Sequence, residues 1–149
     1  MGTHFNGSEE EVNTLNAYIK LVRATESINS IQSKSLAKEN LTISQFGTLE
    51  TLHHLGPQNQ REIGKKLLKS GGNITLVIDN LTKRDLVQRK TDEKDRRAII
   101  VSLTSKGKKF IESYFPKHLA LIIEQFSVLS DEDKADLARI CKKLGLNNS

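Results

Sequence analysis

Apolar residues keep helical spacing at both ends of the chain and switch to a two-residue period only once, in the middle. Val12, Leu15, Ile19 and Val22, with Ile28 and Ile31 further on, follow the capping-box pair Ser8 and Glu11 and predict one long first helix. Thr42 and Gln45 repeat that start signal; Phe46, Leu49 and Leu52 form a second stripe, which Gly56-Pro57 ends. Asn59 with Glu62 opens a short third helix whose Ile63 and Leu67, four apart, share a face. After a Ser70-Gly71-Gly72 turn, Ile74, Ile78 and Leu81 mark the inner face of a fourth helix, while Asn73, Thr75 and Asp79 look elsewhere. Two helices separated by a tight glycine-containing turn predict a helix-turn-helix, which projects the polar face of its second helix into a groove.

The period then changes. Leu86 to Lys90 and Ala98 to Leu103 read as strands, the second with Ile99, Val101 and Leu103 alternating against Ile100 and Ser102, and the wholly polar run Thr91 to Arg97 between them reads as a hairpin tip. Helical periodicity returns from Ser105 with Phe110, Ile111 and Tyr114, then Leu119, Ile122, Ile123 and Phe126, and Pro116 is expected to kink or break that run. A last helix is capped by Ser130 with Asp133, presents Leu137, Ile140, Cys141 and Leu144, and is expected to end at Gly145. The fold class is mainly α: a winged helix-turn-helix of six helices plus a β-hairpin wing, at about 42–104, between helical segments at about 8–38 and 105–146. The terminal segments, with apolar stripes and only a small lobe between them, bury themselves more readily against a partner than alone. We expect them to be dimerisation helices of a single-domain chain.

Composition sharpens this picture chiefly through charge. The chain carries +5 overall, yet residues 61–109 hold fourteen Lys or Arg against six Asp or Glu, a net of +8 that leaves −3 for the flanks. A basic centre between acidic flanks suits a surface that neutralises phosphates, and equally a solvated charged face. No apolar run approaches the roughly 20 residues that span a bilayer. The start of the chain has no basic-then-apolar leader pattern, and the one cysteine cannot form an intramolecular disulfide, so a reducing cytoplasm is expected.

At Gly72-Asn73-Ile74-Thr75, then Val77 to Leu81, Lys83-Arg84 and Leu86-Val87, the sequence closely resembles the MarR family of bacterial transcription regulators. Asp92 to Arg97, followed by Val101-Ser102-Leu103-Thr104 and Gly107, is similar to that family's wing and the start of its fifth helix. The specific motifs span about residues 42–109. Family members usually carry glycine where this chain has Asp85, and aspartate is among the few other residues that tolerate a left-handed backbone there. The resemblance implies a homodimer whose first, fifth and sixth helices interleave. It also implies sequence-specific binding of double-stranded DNA, with two reading heads on a palindromic operator about 34–36 Å apart per turn. A ligand-responsive repressor is the expected activity.

For the DNA contacts, Gly72 lets the backbone approach a phosphate at a helix N-terminus, and Ser70 adds a hydroxyl. Asn73 and Thr75 are candidates for base edges or, alternatively, for capping and solvent contact. In the wing, Asp95 and Arg97 are spaced to pair, directing the Arg97 guanidinium into the minor groove while Arg96 meets phosphate, a division of roles that the resemblance supports and that a one-residue slip of the hairpin register would exchange. The same pair would also serve hairpin stability alone. Lys83, Arg84, Arg89, Lys90 and Lys94 are candidate backbone contacts that position without specifying.

The resemblance further implies a small phenolic or anionic effector held in a crevice between the dimer helices and the lobe. His53 and His54 are possible crevice residues, or one packing and one exposed histidine. Four histidines with no HxxxH spacing and no histidine-cysteine cluster give no support for a zinc site, and no cofactor is expected. Cys141, on an apolar stripe, reads as a buried thiol acting as a small hydrophobe; a redox-responsive regulator is the alternative, should a two-fold axis bring two copies of Cys141 together. An enzyme is not expected, because the chain has no G-x-S-x-G, HExxH or Walker loop. A winged-helix protein-interaction module without an effector remains the other alternative.

Overall fold

The expected caps form. In the computed structural model, which describes residues 2–69 and 71–147, the Ser8 hydroxyl accepts from the Glu11 N–H at 3.2 Å and the Glu11 carboxylate accepts from the Ser8 N–H at 2.7 Å. This reciprocal pair starts α1 (Glu9–Ala37), whose first turn carries Glu9, Glu10 and Glu11 against the positive end of the helix dipole. Thr42 and Gln45 start α2 (Ile43–Leu55) in the same way, and the helix ends at Gly56, whose φ of +76° is left-handed backbone that favours glycine. Phe46, Leu49 and Leu52 of α2 are buried.

A two-residue strand, β1 (Gln58–Asn59), precedes α3 (Gln60–Lys66). The Asn59 side chain caps the N–H of Arg61, not that of Glu62 as the spacing suggested, and Glu62 instead pairs with Lys65 at 3.2 Å. The chain then reverses at Leu67–Lys69, with Leu68 in a left-handed conformation at φ 53° and the Lys69 N–H donating to the Gly64 carbonyl at 2.8 Å. The anticipated glycine turn is therefore displaced: Gly71 and Gly72 form the first turn of α4 (Gly71–Lys83), and Ser70 lies outside the described residues.

The wing consists of β2 (Val87–Thr91) and β3 (Ile99–Leu103), paired antiparallel with Arg89 opposite Val101. β1 adds to the other side of β3, giving the order β1-β3-β2. Asp85, at the junction of α4 and β2, has φ 56°, the left-handed backbone expected where the family usually has glycine.

α5 (Ser105–Gln125) is continuous across Pro116, so the expected interruption does not occur. A proline removes one N–H donor, and the turns on either side keep the helix going. α6 (Asp131–Asn147) is capped by Ser130 and Asp133, which exchange hydrogen bonds at 3.1 Å each. It runs through Gly145, because that glycine does not take the left-handed conformation that ends a helix. No helix among the described residues is long and apolar enough to cross a membrane.

The chain divides into two compact units, Met1–Ser113 and Tyr114–Ser149. The first has a core drawn from every layer of the lobe, with Leu49, Ile63, Ile78, Leu81, Val101 and Ile111 fully buried. In the second, the described residues of α6 are all exposed, including the stripe of Leu137, Ile140, Cys141 and Leu144. Cys141 is thus exposed in the single chain, where the sequence reads a buried thiol: a stripe is covered only by what packs on it, and here that is not supplied within the helix itself.

Candidate nucleic-acid interface

α4 lies within the first unit and has two distinct faces. Ile74, Ile78 and Leu81 are at most 3% exposed and seat the helix on the lobe. At about 100° per residue, Gly72, Leu76, Asp79 and Lys83 fall on the opposite side. Leu76 is 60% exposed there, a large apolar side chain that belongs to none of the sequence motifs. Its phase, opposite Ile74, Ile78 and Leu81, is the signal that identifies it.

Asn73 and Thr75, the two candidate base readers, flank this outward stripe on either side, and both are exposed. Thr75 is also part of a joint. Its hydroxyl donates to the Gly71 carbonyl at 2.8 Å and accepts from Gln60 Nε2 at 3.2 Å, which ties α4 to the first residue of α3. Arg89 of β2 completes the joint: its Nε donates to Gln60 Oε1 at 3.1 Å, one Nη donates to the Thr75 carbonyl at 3.3 Å, and the same Nη meets the Asp79 carboxylate at 2.6 Å. Gln60, missed in the sequence, is the hub that links helix-turn-helix and wing.

At the hairpin tip the expected pair is present. Arg97 Nε lies 3.5 Å from Asp95 Oδ1, which also accepts the Arg97 backbone N–H at 3.0 Å. The Arg97 side chain is nevertheless 94% exposed, so the aspartate orients the guanidinium without covering it. The Lys94 N–H donates to Asp92 Oδ1 at 2.9 Å, closing the other half of the tip, and Lys90, Lys94 and Arg96 are exposed.

Between α3, the start of α4 and the wing tip lies an open recess of about 840 Å³, lined by Arg61, Lys65, Lys69 and Arg97 with Asp95 as the acidic residue among those described. Four cations around a helix N-terminus make this recess attractive to phosphate oxygens. Arg61 was not singled out in the sequence, where a lone arginine in a helical run carries no signal. The adjacent cations at the end of α4 differ: Lys83 is exposed, whereas the Arg84 guanidinium donates to the carbonyls of Asn40 at 2.6 Å and Glu39 at 3.0 Å.

His53 lines a second, smaller recess of about 300 Å³ with Leu52, Pro57, Ser102, Leu103 and Lys108. His54 is exposed outside that lining, with its ring centroid 5.0 Å from that of His53.

The helix-turn-helix and wing coincide with what is known of related proteins. The MarR family model matches residues 41–99. The HTH-type transcriptional regulator MhqR of Bacillus subtilis is 39% identical over 134 residues, covering 90% of this chain and 92% of MhqR. This chain belongs to the MarR family. It is a DNA-binding transcriptional regulator, and its relatives are regulators, not enzymes. Two solved structures share the fold of this MarR-family chain. The S. aureus MepR–DNA complex has a TM-score of 0.79 and 24% identity and covers 89% of this chain and 98% of its own. Bordetella bronchiseptica BpsR, described as regulated in its DNA binding by 6-hydroxynicotinic acid, has a TM-score of 0.78 and 23% identity and covers 87% of this chain and 98% of its own.

Proposed function

We propose that this regulator is a homodimeric repressor, acting in the cytoplasm, that binds a palindromic operator and releases it on taking up a small phenolic or anionic effector. The observation that carries the reading is the wing tip, where Asp95 directs an otherwise exposed Arg97 outward from the same side as the cationic recess. In the bound state Arg97 enters the minor groove, where a narrow groove concentrates negative potential. Arg96, Lys90, Lys94 and Lys83 meet phosphates, and Gly72 allows a close backbone approach at the helix N-terminus. Asn73 reads a base edge, and Thr75 adds its methyl or hydroxyl as far as the joint with Gln60 leaves them available. Arg84 and Arg89, already engaged with protein groups, act by holding the reading elements in place.

Dimerisation covers the uncovered α6 stripe, Cys141 included, and sets two reading heads on a two-fold operator. For the effector, the recess beside His53 combines apolar walls with Lys108, a composition suited to a small aromatic acid. An aromatic acid controlling DNA binding in BpsR agrees with that class.

The test is a binding titration over a salt series with the wild type and Arg97→Ala, on DNA from the gene's own upstream region and on random duplex. A steep salt slope, a preference for the upstream DNA and loss of that preference in Arg97→Ala support the reading, and aromatic acids are then screened for release. Equal, weak binding to every duplex, unchanged in Arg97→Ala, overturns it.

A further inference from the structure

We propose that Leu76 is a specificity-determining residue that reads a thymine 5-methyl group in the major groove, an inference that rests on the regulator reading above. Leu76 is 60% exposed on a helix whose other large aliphatic side chains at Ile74, Ile78 and Leu81 are at most 3% exposed. It therefore contributes nothing comparable to the lobe core, and its apolar surface stands in water. Its neighbours on the outward stripe narrow what it touches. Gly72, one turn before, has no side chain to shield it, and Asp79, almost one turn after, is neutralised by Arg89 at 2.6 Å. The stripe thus presents an isobutyl group between a bare backbone turn and a neutralised carboxylate.

The cations near the start of the same helix favour DNA over an apolar protein partner. Arg61, Lys65 and Lys69 line the recess at the start of the helix, with Arg97 from the wing. A polyanion complements this set, and within the major groove of a polyanionic duplex the apolar feature of a base edge is the thymine methyl. A leucine packed on cytosine or guanine would strip water from their donors and acceptors and return no hydrogen bond. Packed on thymine, it buries a methyl group at a gain of about fourfold in affinity per methyl.

The experiment uses the full chain and operator DNA in which each thymine of the footprint is replaced in turn by deoxyuridine, which keeps base pairing and removes only the 5-methyl. In the wild type, one symmetry-related pair of positions is expected to lose about fourfold per methyl. In Leu76→Ala that loss disappears at those positions and persists at any others. A thermal melt matching the wild type shows that the variant is folded, as expected for replacing an exposed helical leucine with the best helix former. Identical deoxyuridine profiles in the two proteins overturn the role of Leu76 while leaving the regulator reading intact. No preference of the wild type for operator over random duplex overturns both.

Discussion

Arg89 and Asp79 form a 2.6 Å ion pair that fastens the second strand of the sheet to α4. The bond reaches from β2 to the middle of α4, and the same guanidinium holds Gln60 at the start of α3. One side chain therefore fixes the angle between α4 and the wing beside it. Under the proposed function the two engage DNA at once, and their relative orientation is then part of the recognition geometry.

The first prediction separates this joint from a phosphate contact. Arg89→Ala is expected to lower stability by about 1–2 kcal/mol, as for charge-assisted hydrogen bonds in a half-buried setting. It should weaken operator binding without changing the salt slope. A phosphate contact behaves in the opposite way, with an unchanged melt and a slope reduced by about one. A double-mutant cycle with Asp79→Ala checks the pair directly, since a coupling energy near zero would remove the joint as the explanation.

A second prediction concerns the start of α5. A Cβ placed on Gly107 would overlap the Leu86 carbonyl oxygen and lie 2.9 Å from its carbonyl carbon. The obstacle is backbone, which cannot rotate aside, so the helix and the strand entrance must separate. Gly107→Ala is expected to cost about 3 kcal/mol, at the upper end of overpacking, in urea unfolding followed by circular dichroism. Gly71→Ala provides the control: nothing lies within 4 Å of its built Cβ, and the exchange within a helix is expected to be neutral or stabilising.

These residues also show where sequence patterns inform and where they stop. Capping boxes at Ser8, Thr42 and Ser130 were legible because both partners lie within three residues of each other. The Asp95–Arg97 pair was legible for the same reason, and the left-handed backbone at Asp85 through the glycine that the family usually carries there. The partners of Arg84 and Arg89 were not, because Asn40 lies 44 residues from Arg84, Gln60 and Thr75 lie 29 and 14 from Arg89, Asp79 sits on a different element, and nothing local distinguishes an engaged arginine from a free one. β1 was missed since two residues cannot display an alternating period, and its pairing with β3 is wholly non-local. The glycine pair at 71–72 reads as a turn because glycine marks turns more often than first helical turns. The reversal is instead made by Leu68 at φ 53°, a residue type that carries no turn signal.

The adjacent cations Lys83 and Arg84 turn that last distinction into an experiment. By sequence they are interchangeable, two adjacent basic residues at the end of α4. The Arg84 guanidinium, however, donates to the carbonyls of Glu39 and Asn40, the turn that links α1 to α2, and Asn40 itself has a left-handed φ of 54°. Arg84→Ala leaves those carbonyls without their charged donor and is expected to cost about 1.5–3 kcal/mol of stability. Lys83, exposed on the outward stripe, is expected to melt unchanged as Lys83→Ala but to lower the salt slope of operator binding by about one. Arg84→Lys sharpens the contrast, because a lysine keeps the charge but cannot span two carbonyls with a planar fork, so most of the stability loss should remain. If Arg84→Lys restores both stability and binding, the residue acts through its charge alone and belongs with Lys83 on the DNA face.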